Sequence, residues 1–213
     1  MIDFSLYLVT DRGLSQGRTT IDIVRSAISG GVTCVQLREK QGSTREFIAE
    51  ALAIRAMLDG LETRIPLIIN DRIDVAMAIG ADGVHLGQTD MHIRDARRLA
   101  GSSLFIGISV ESVADAFRAE AEGADYIGVS PVFATPTKND TALPLGLEGI
   151  RAIRAAVSLP LVGIGGIKVE NAAEIIRAGA DGVAVVSAIV SASCPQSAAT
   201  ALKQRIQSAR KKD

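Results

Sequence analysis

Arg38 and Lys40 stand two residues apart in the run Gln36-Leu37-Arg38-Glu39-Lys40, and alternate residues of an extended chain share a face. A guanidinium grips phosphate oxygens in pairs and an ammonium adds a mobile point charge, so the two together suit a polyanion. The plainer reading is a pair of solvated charges with Glu39 between them. Asp71 in Ile69-Asn70-Asp71-Arg72, and Asp90 a few residues beyond Gly83-Val84-His85-Leu86-Gly87-Gln88, follow two consecutive apolar runs. Carboxylates from neighbouring strands can hold one hard cation such as Mg2+, which takes one or two of them and fills its shell with water and phosphate oxygens. Either Asp alone also reads as a helix N-cap. Two acids facing two bases describe a metal pyrophosphate site.

A long segment carries Thr135-Pro136-Thr137-Lys138, then Asn139 and Asp140, before the chain restarts at Pro144-Leu145-Gly146. Long loops among tight connections are commonly binding loops or lids, and Lys138 adds a third cation beside the threonine hydroxyls. The alternative is a surface excursion stiffened by its prolines. Gly163-Ile164-Gly165-Gly166 and Ser187 end two further apolar runs. They predict a monophosphate site built from backbone N–H groups and a short helix start, with glycines admitting the ligand to the backbone. Ser109, Gln88 and His85 complete the polar residues at the ends of apolar runs. His85 reads equally as an acid-base group or as a hydrogen-bonded core residue. Cys34, Tyr7 and Tyr126 read as packing, with Tyr7 close enough to a strand end to line a pocket.

These residues need a scaffold that brings strand ends together. Runs rich in Val, Ile and Leu alternate with amphipathic segments along the whole chain, which predicts a parallel sheet covered by helices. The expected strands are Leu6–Thr10, Cys34–Arg38, Pro66–Asn70, Gly83–Leu86, Leu104–Ile108, Tyr126–Val129, Leu161–Ile164 and Gly182–Val186. Between them Thr44–Leu58, with Phe47, Ala51, Ile54 and Leu58 spaced by three or four, has the helical period.

Gly-Ala-Asp recurs at Gly80–Asp82, Gly123–Asp125 and Gly179–Asp181, with Gly31-Val32-Thr33 as a diverged fourth copy. The motif reads as punctuation: Gly stops a helix, Ala packs and Asp turns the chain into a strand. The copies lie 49, 43 and 56 residues apart, each about two βα units of roughly 25 residues. The fold class that follows is α/β, one (β/α)8 TIM barrel domain over residues 1–213, with its site at the C-terminal ends of the strands.

Composition excludes several other functions. Lys plus Arg number 23 against 24 Asp plus Glu, giving a net charge of −1. No overall field draws the chain to nucleic acid or an anionic membrane. Apolar residues make up 47% and charged residues 22%, as in folded soluble domains. No apolar run reaches membrane-spanning length, and the start Met1-Ile2-Asp3-Phe4 lacks the marks of a signal peptide. Two cysteines without metal-ligand spacing fit a reducing cytoplasm. The sequence leaves open whether the chain forms a homo-oligomer.

The five motifs Gln36-Leu37-Arg38-Glu39-Lys40, Ile69-Asn70-Asp71-Arg72, Gly83 to Asp90, Thr135-Pro136-Thr137-Lys138 and Gly163-Ile164-Gly165-Gly166, in this order, resemble those of the thiamine phosphate synthase family. The resemblance spans nearly the whole chain. It implies a transferase of thiamine biosynthesis that joins 4-amino-2-methyl-5-(hydroxymethyl)pyrimidine diphosphate to 4-methyl-5-(2-hydroxyethyl)thiazole phosphate and releases pyrophosphate. It assigns Gln36, Arg38, Lys40, Asn70 and Lys138 to the pyrimidine diphosphate, Ser109 to the pyrophosphate, and Asp71 and Asp90 to magnesium. Thr135, Thr137, Gly166, Val186 and Ser187 fall to the thiazole phosphate. The implied mechanism is dissociative, with Arg38, Lys40, Lys138 and Ser109 at the leaving group and no protein nucleophile. One departure is Val110-Glu111-Ser112, where many relatives carry a Thr-His pair.

Two rival readings remain. Thiazole tautomerases share the barrel but tend to lose the residues that stand here as Lys40, Asp71 and Lys138. A non-catalytic phosphate binder on the same fold is the other, since fold does not fix function; it has no need of two magnesium carboxylates.

Overall fold

The protein is described here by a computed structural model covering residues 2–135 and 143–211. Strands and helices alternate as β1 (Leu6–Val9), α1 (Thr20–Ser29), β2 (Cys34–Leu37), α2 (Thr44–Asp59), β3 (Leu67–Asn70), α3 (Ile73–Ala78), β4 (Gly83–Leu86) and α4 (Ile93–Ala100). They continue as β5 (Phe105–Val110), α5 (Val113–Ala121), β6 (Tyr126–Val129), α6 (Gly146–Ala156), β7 (Leu161–Ile164), α7 (Ala172–Arg177), β8 (Gly182–Val185), α8 (Ser187–Val190) and α9 (Pro195–Arg210). The strands form one closed barrel in sequence order, and β1 pairs in parallel with β8 to complete it.

All eight expected strands are present, with shifted ends. β1, β2 and β8 stop one residue short of the expected ends, whereas β5 runs on to Val110. Ser109 therefore sits inside a strand, paired in register with Gly128. Arg38 lies one residue past β2, where its N–H bonds the Thr10 hydroxyl at 3.0 Å. α2 begins with a capping box: Ser43 accepts from the Glu46 N–H and Glu46 accepts from the Ser43 N–H. Its buried stripe is Phe47, Ala51, Ile54 and Leu58, the spacing read in the sequence.

The Gly-Ala-Asp copies do more than turn the chain. Their glycines take left-handed backbones, with φ of 61° at Gly80, 88° at Gly123 and 109° at Gly179, as helix stops require. Each Asp then reaches sideways to the strand before its own. Asp82, Asp125 and Asp181 accept the N–H of Leu67, Ile106 and Leu161 at 2.9, 2.7 and 2.8 Å. An arginine from the even-numbered helix closes each corner: Arg55 on Asp82, Arg97 on Asp125 and Arg154 on Asp181. In the diverged copy the Thr33 hydroxyl takes the Leu6 N–H at 3.1 Å. The fourfold repeat is thus a set of clasps across the N-terminal rim of the barrel.

Asp82 is the most enclosed clasp, its side chain 6% exposed. Burial pushes its carboxyl up, but the Leu67 N–H, Arg64 and Arg55 together outweigh burial and hold it below the ordinary carboxylate value. A lowered folded value means stability that is present above the unfolded carboxylate pKa and lost as pH falls through the folded one. Asp82→Ala leaves the Leu67 N–H without its acceptor and Arg55 with Asp59 as its remaining carboxylate, and is expected to cost about 1–3 kcal/mol near neutrality. Urea unfolding from about pH 7 to about pH 3 should show this deficit shrinking toward acid; a deficit equal at every pH would contradict the assignment.

The residue that follows each clasp is Cys34, Gly83, Tyr126 or Gly182. Three of the four are small, and the fourth is the fully buried Tyr126, whose ring stacks on Phe4 at 4.4 Å. Phe4, Tyr7, Cys34, Ile68, Tyr126 and Val162 belong to one cluster, apart from the larger apolar layer between strands and helices. This inner plug closes the lower barrel and leaves the upper end open. Among the described residues, no helix is long and apolar enough to cross a membrane.

Candidate functional site

A cavity of about 890 Å³ opens at the C-terminal ends of the strands, the position and size expected of a barrel's small-molecule site. Its wall includes Gln36, Arg38, Lys40, Asn70, Asp71, Asp90 and Ser109, together with Thr135, Gly166, Val186 and Ser187. Eleven of the thirteen site residues expected from sequence are therefore brought together. The other two, Thr137 and Lys138, lie outside the described residues.

Arg38 is half-held. Its Nη1 donates to Asp11 Oδ2 at 2.6 Å, with both side chains 18% exposed. Its Nε is the one buried side-chain nitrogen or oxygen among the described residues that lacks a hydrogen-bond partner. Leaving such a donor unpaired costs about 1–3 kcal/mol, which an anionic oxygen in the cavity would recover. Asp11 was not anticipated in the sequence, because a residue just past β1 gives no sign that it will meet one just past β2.

Lys40 forms an ion pair with Asp71. Asp71 has a left-handed backbone, φ 62°, while its N–H bonds the His85 carbonyl at 2.8 Å. Non-glycine residues in this region carry strain and cluster at functional sites, and Asp tolerates it better than most. The Asp90 carboxyl is held above its ordinary value, first by burial and then by a hydrogen bond to Asp71 and that residue's charge, against the pull of the Gly87 N–H. The Gly87 N–H to Asp90 Oδ2 bond is 2.7 Å. Neither acid is a helix N-cap: those positions are Arg72 for α3 and His92 for α4. The capping alternative is thereby removed.

Two neighbouring carboxylates, the charge of one raising the carboxyl of the other, fit a divalent cation that would offset their repulsion. Among the described residues no group of three or more His, Cys, Asp or Glu could hold a metal. Such an ion would complete its shell with water and ligand phosphate, as magnesium does.

Across the mouth, Ser187 opens the short α8 directly after β8, so its N–H has no acceptor within the helix. Gly166 has φ 64°, and a Cβ there would lie 2.7 Å from the Ala134 carbonyl oxygen and 2.8 Å from Phe133 Cβ. Gly165 is likewise pressed against Pro131. The glycines, read in the sequence as room for a ligand, are required first by the packing of residues 131–134. Lys168 and Asn171 also line this side, and Asn171 ties the turn by donating to the Gly166 carbonyl at 3.0 Å. Neither stood out in the sequence, since Lys and Asn near a helix start are common.

Tyr126 packs as read in the sequence, in the inner cluster, and its hydroxyl has a polar role as well. Its hydroxyl lies 3.0 Å from Tyr7 Oη and 3.0 Å from His85 Nδ1. Gln36 Nε2 donates to Tyr7 Oη at 2.9 Å, and His85 Nε2 lies 3.0 Å from Ser109 Oγ. Gln88 Nε2 donates to the Ser109 carbonyl. The floor of the cavity is therefore polar and linked from β2 to β5. The signal was present as Gly107 and Gly128, glycines inside strands, which mark close approach. Of the departure from the family pattern, Glu111 lines the rim and Ser112 caps α5 by accepting the Asp115 N–H at 3.1 Å.

Residues 6–189 match a family model described as thiamine monophosphate synthase. A thiamine-phosphate synthase from Albidiferax ferrireducens is 58% identical over 201 residues, covering 94% of this chain and 91% of that protein. One from Chloroflexus aurantiacus is 53% identical over 203 residues, covering 95% and 93%. Among solved structures, a thiamine phosphate pyrophosphorylase from Pyrococcus furiosus superposes with a TM-score of 0.89 at 38% identity, over 97% of both chains.

Proposed function

We propose, from the premise that this chain belongs to the thiamine monophosphate synthase family, a division of the barrel mouth between the two substrates of a thiamine-phosphate synthase. As such a synthase it is a transferase. It couples the pyrimidine diphosphate to the thiazole phosphate and releases pyrophosphate. The observation that carries the division is Arg38, with its buried, unpartnered Nε, lining one cavity with the Asp71 and Asp90 carboxylates.

In this reading Gln36 and Asn70 hold the pyrimidine half, while Arg38, Lys40, Lys138 and Ser109 meet the diphosphate. Asp71 and Asp90 would hold Mg2+, which when bound supplies neutralisation of the leaving charge. The thiazole phosphate rests on Gly166, Val186 and Ser187, with Thr135 and Thr137 at its ring side. The bond between the pyrimidine methylene carbon and the diphosphate oxygen breaks, and its electron pair leaves with pyrophosphate. The aminopyrimidine ring stabilises the methylene cation until the thiazole nitrogen donates its lone pair to form the new C–N bond. Arg38, Lys40, Lys138 and Ser109 place donors where negative charge grows, and the fixed walls align the nitrogen with the carbon. No protein nucleophile takes part.

Free Cys34 and Cys194, the latter exposed, favour a reducing compartment such as the cytoplasm. The substrates are small molecules, and neither nucleic acid nor membrane has a role in this reading.

The division is tested by steady-state kinetics with each substrate varied in turn. Arg38→Ala is expected to lower kcat/KM for the diphosphate by about 100-fold and leave KM for the thiazole phosphate within about twofold. Ser187→Ala should raise the thiazole phosphate KM by about tenfold and spare the diphosphate KM. Equal effects of either variant on both substrates would overturn the division.

A further inference from the structure

The hydrogen bonds of the cavity floor form a chain that starts at the Gln36 amide. Gln36 Nε2 can only donate, so Tyr7 Oη accepts from it at 2.9 Å. Burial holds both phenols protonated, with values well above the ordinary one for Tyr7 and for Tyr126. Each therefore has a single proton to give. Tyr7 Oη lies 3.0 Å from Tyr126 Oη, with either able to donate, and Tyr126 Oη lies 3.0 Å from His85 Nδ1; the contacts form one continuous chain when Tyr7 donates to Tyr126 and Tyr126 to His85. With Nδ1 accepting, the neutral imidazole carries its proton on Nε2. In that arrangement Nε2 donates to Ser109 Oγ, 3.0 Å away. The Ser109 hydroxyl, already an acceptor toward His85, turns its own proton away from the ring.

The surrounding strands make room for this chain. A Cβ on Gly107 would stand 2.1 Å from Tyr126 Cζ, and one on Gly128 would stand 3.0 Å from His85 Cε1. Register pairs His85 with Gly107 and Gly107 with Tyr126 across β4, β5 and β6. Gln36 is 4% exposed and Ser109 9% exposed, yet both reach the cavity. The two ends of the chain are thus fixed side chains on opposite sides of one pocket.

We propose that Tyr7, Tyr126 and His85 are positioning residues that couple the two ends of the pyrimidine diphosphate site: when Gln36 offers its carbonyl oxygen to the substrate's exocyclic amine, Ser109 must offer its hydroxyl proton to the diphosphate. Reversing the Gln36 amide gives the same chain in the opposite sense. Gln36 would then present N–H groups to the pyrimidine, Tyr7 would donate to Gln36, and Ser109 would donate to His85 and show only lone pairs to the anion. A ligand that is a hydrogen-bond donor at one end and a phosphate at the other selects one direction for the whole chain. The inference rests on the assignment of Gln36 to the pyrimidine and Ser109 to the diphosphate.

The coupling is a binding property, so it is measured by binding. Titrate the magnesium-loaded protein with pyrophosphate, alone and with saturating 4-amino-5-hydroxymethyl-2-methylpyrimidine, by calorimetry. The parent is expected to bind pyrophosphate about fivefold or more tightly when the aminopyrimidine is present. The analogue with an oxo group in place of the exocyclic amine should give no tightening. Tyr126→Phe and Tyr7→Phe, each checked for an intact fold by circular dichroism, should bind both ligands singly and lose the tightening. Tightening that survives in either folded variant, or that is absent in the parent, overturns the coupling. Ser109→Ala separates this from the underlying assignment. If it binds pyrophosphate as the parent does, Ser109 is not a diphosphate contact and the assignment itself fails.

Discussion

Asp71→Asn is expected to lower kcat of the coupling by roughly 100- to 1,000-fold with the barrel intact. The side chain stays the same size, so the change isolates charge. Asn is preferred to Ala because residue 71 has φ 62°, a backbone that Asn visits readily and that costs Ala about 1–2 kcal/mol. Two consequences follow from the site's electrostatics. Asp90 loses the like charge that raises its own carboxyl, and Lys40 loses its ion-pair partner. The variant should need more magnesium for half-maximal rate, since only one carboxylate would remain to hold it. Lys138→Ala is expected to have a loss of turnover of similar size without the change in magnesium requirement, because its assigned partner is the diphosphate. Circular dichroism and thermal melts near those of the parent would separate both from unfolding. Normal turnover in either folded variant would remove that residue from the leaving-group machinery.

Gly182→Ala is expected to have the largest effect on stability. Gly182 starts β8, where β8 meets β1 and the barrel closes. A Cβ there would lie 1.8 Å from the Phe4 carbonyl oxygen and 2.6 Å from its carbonyl carbon. Both are backbone atoms, so no side-chain rotation relieves the clash, and the strands must part. The expected cost is about 3 kcal/mol or more, a large share of the roughly 5–15 kcal/mol by which proteins are usually stable. For a chain of this size that corresponds to a melting temperature lower by about 6–12 °C. Gly80→Ala is the comparison: it has φ 61° and nothing within 4 Å of the added carbon, so only backbone strain of about 1–2 kcal/mol is expected. Equal melting temperatures for the two variants would contradict the steric account.

The barrel was legible because its determinants are local. Apolar runs, helical spacing and the Gly-Ala-Asp copies each act within a few residues, and together they placed all eight strands. Arg38, Lys40, Asp71 and Asp90 were legible for a related reason: a parallel barrel gathers whatever follows its strands. What escaped depends on pairing across strands. Asp11 meets Arg38 only through the β1 to β2 register. The Tyr126 hydroxyl finds Tyr7 only across the inside of the barrel, at a sequence separation of 119. The clasp role of Asp82, Asp125 and Asp181 was also hidden. Their spacing showed the repeat, but not that each would bond the neighbouring strand's first amides. Gly165 and Gly166 show the reverse: the sequence singled them out, yet their tightest contacts are with residues 131–134 and not with open space.

The proposed division of the mouth into a metal pyrophosphate half and a monophosphate half makes a direct demand on the reaction. Purified protein, magnesium and both substrates are incubated, and pyrophosphate and thiamine phosphate are quantified in the same samples over time. The predicted result is equal molar amounts of the two products, with a rate that saturates in each substrate and vanishes when either is left out. Absence of thiamine phosphate at saturating concentrations of both substrates, or pyrophosphate release without it, would contradict the account.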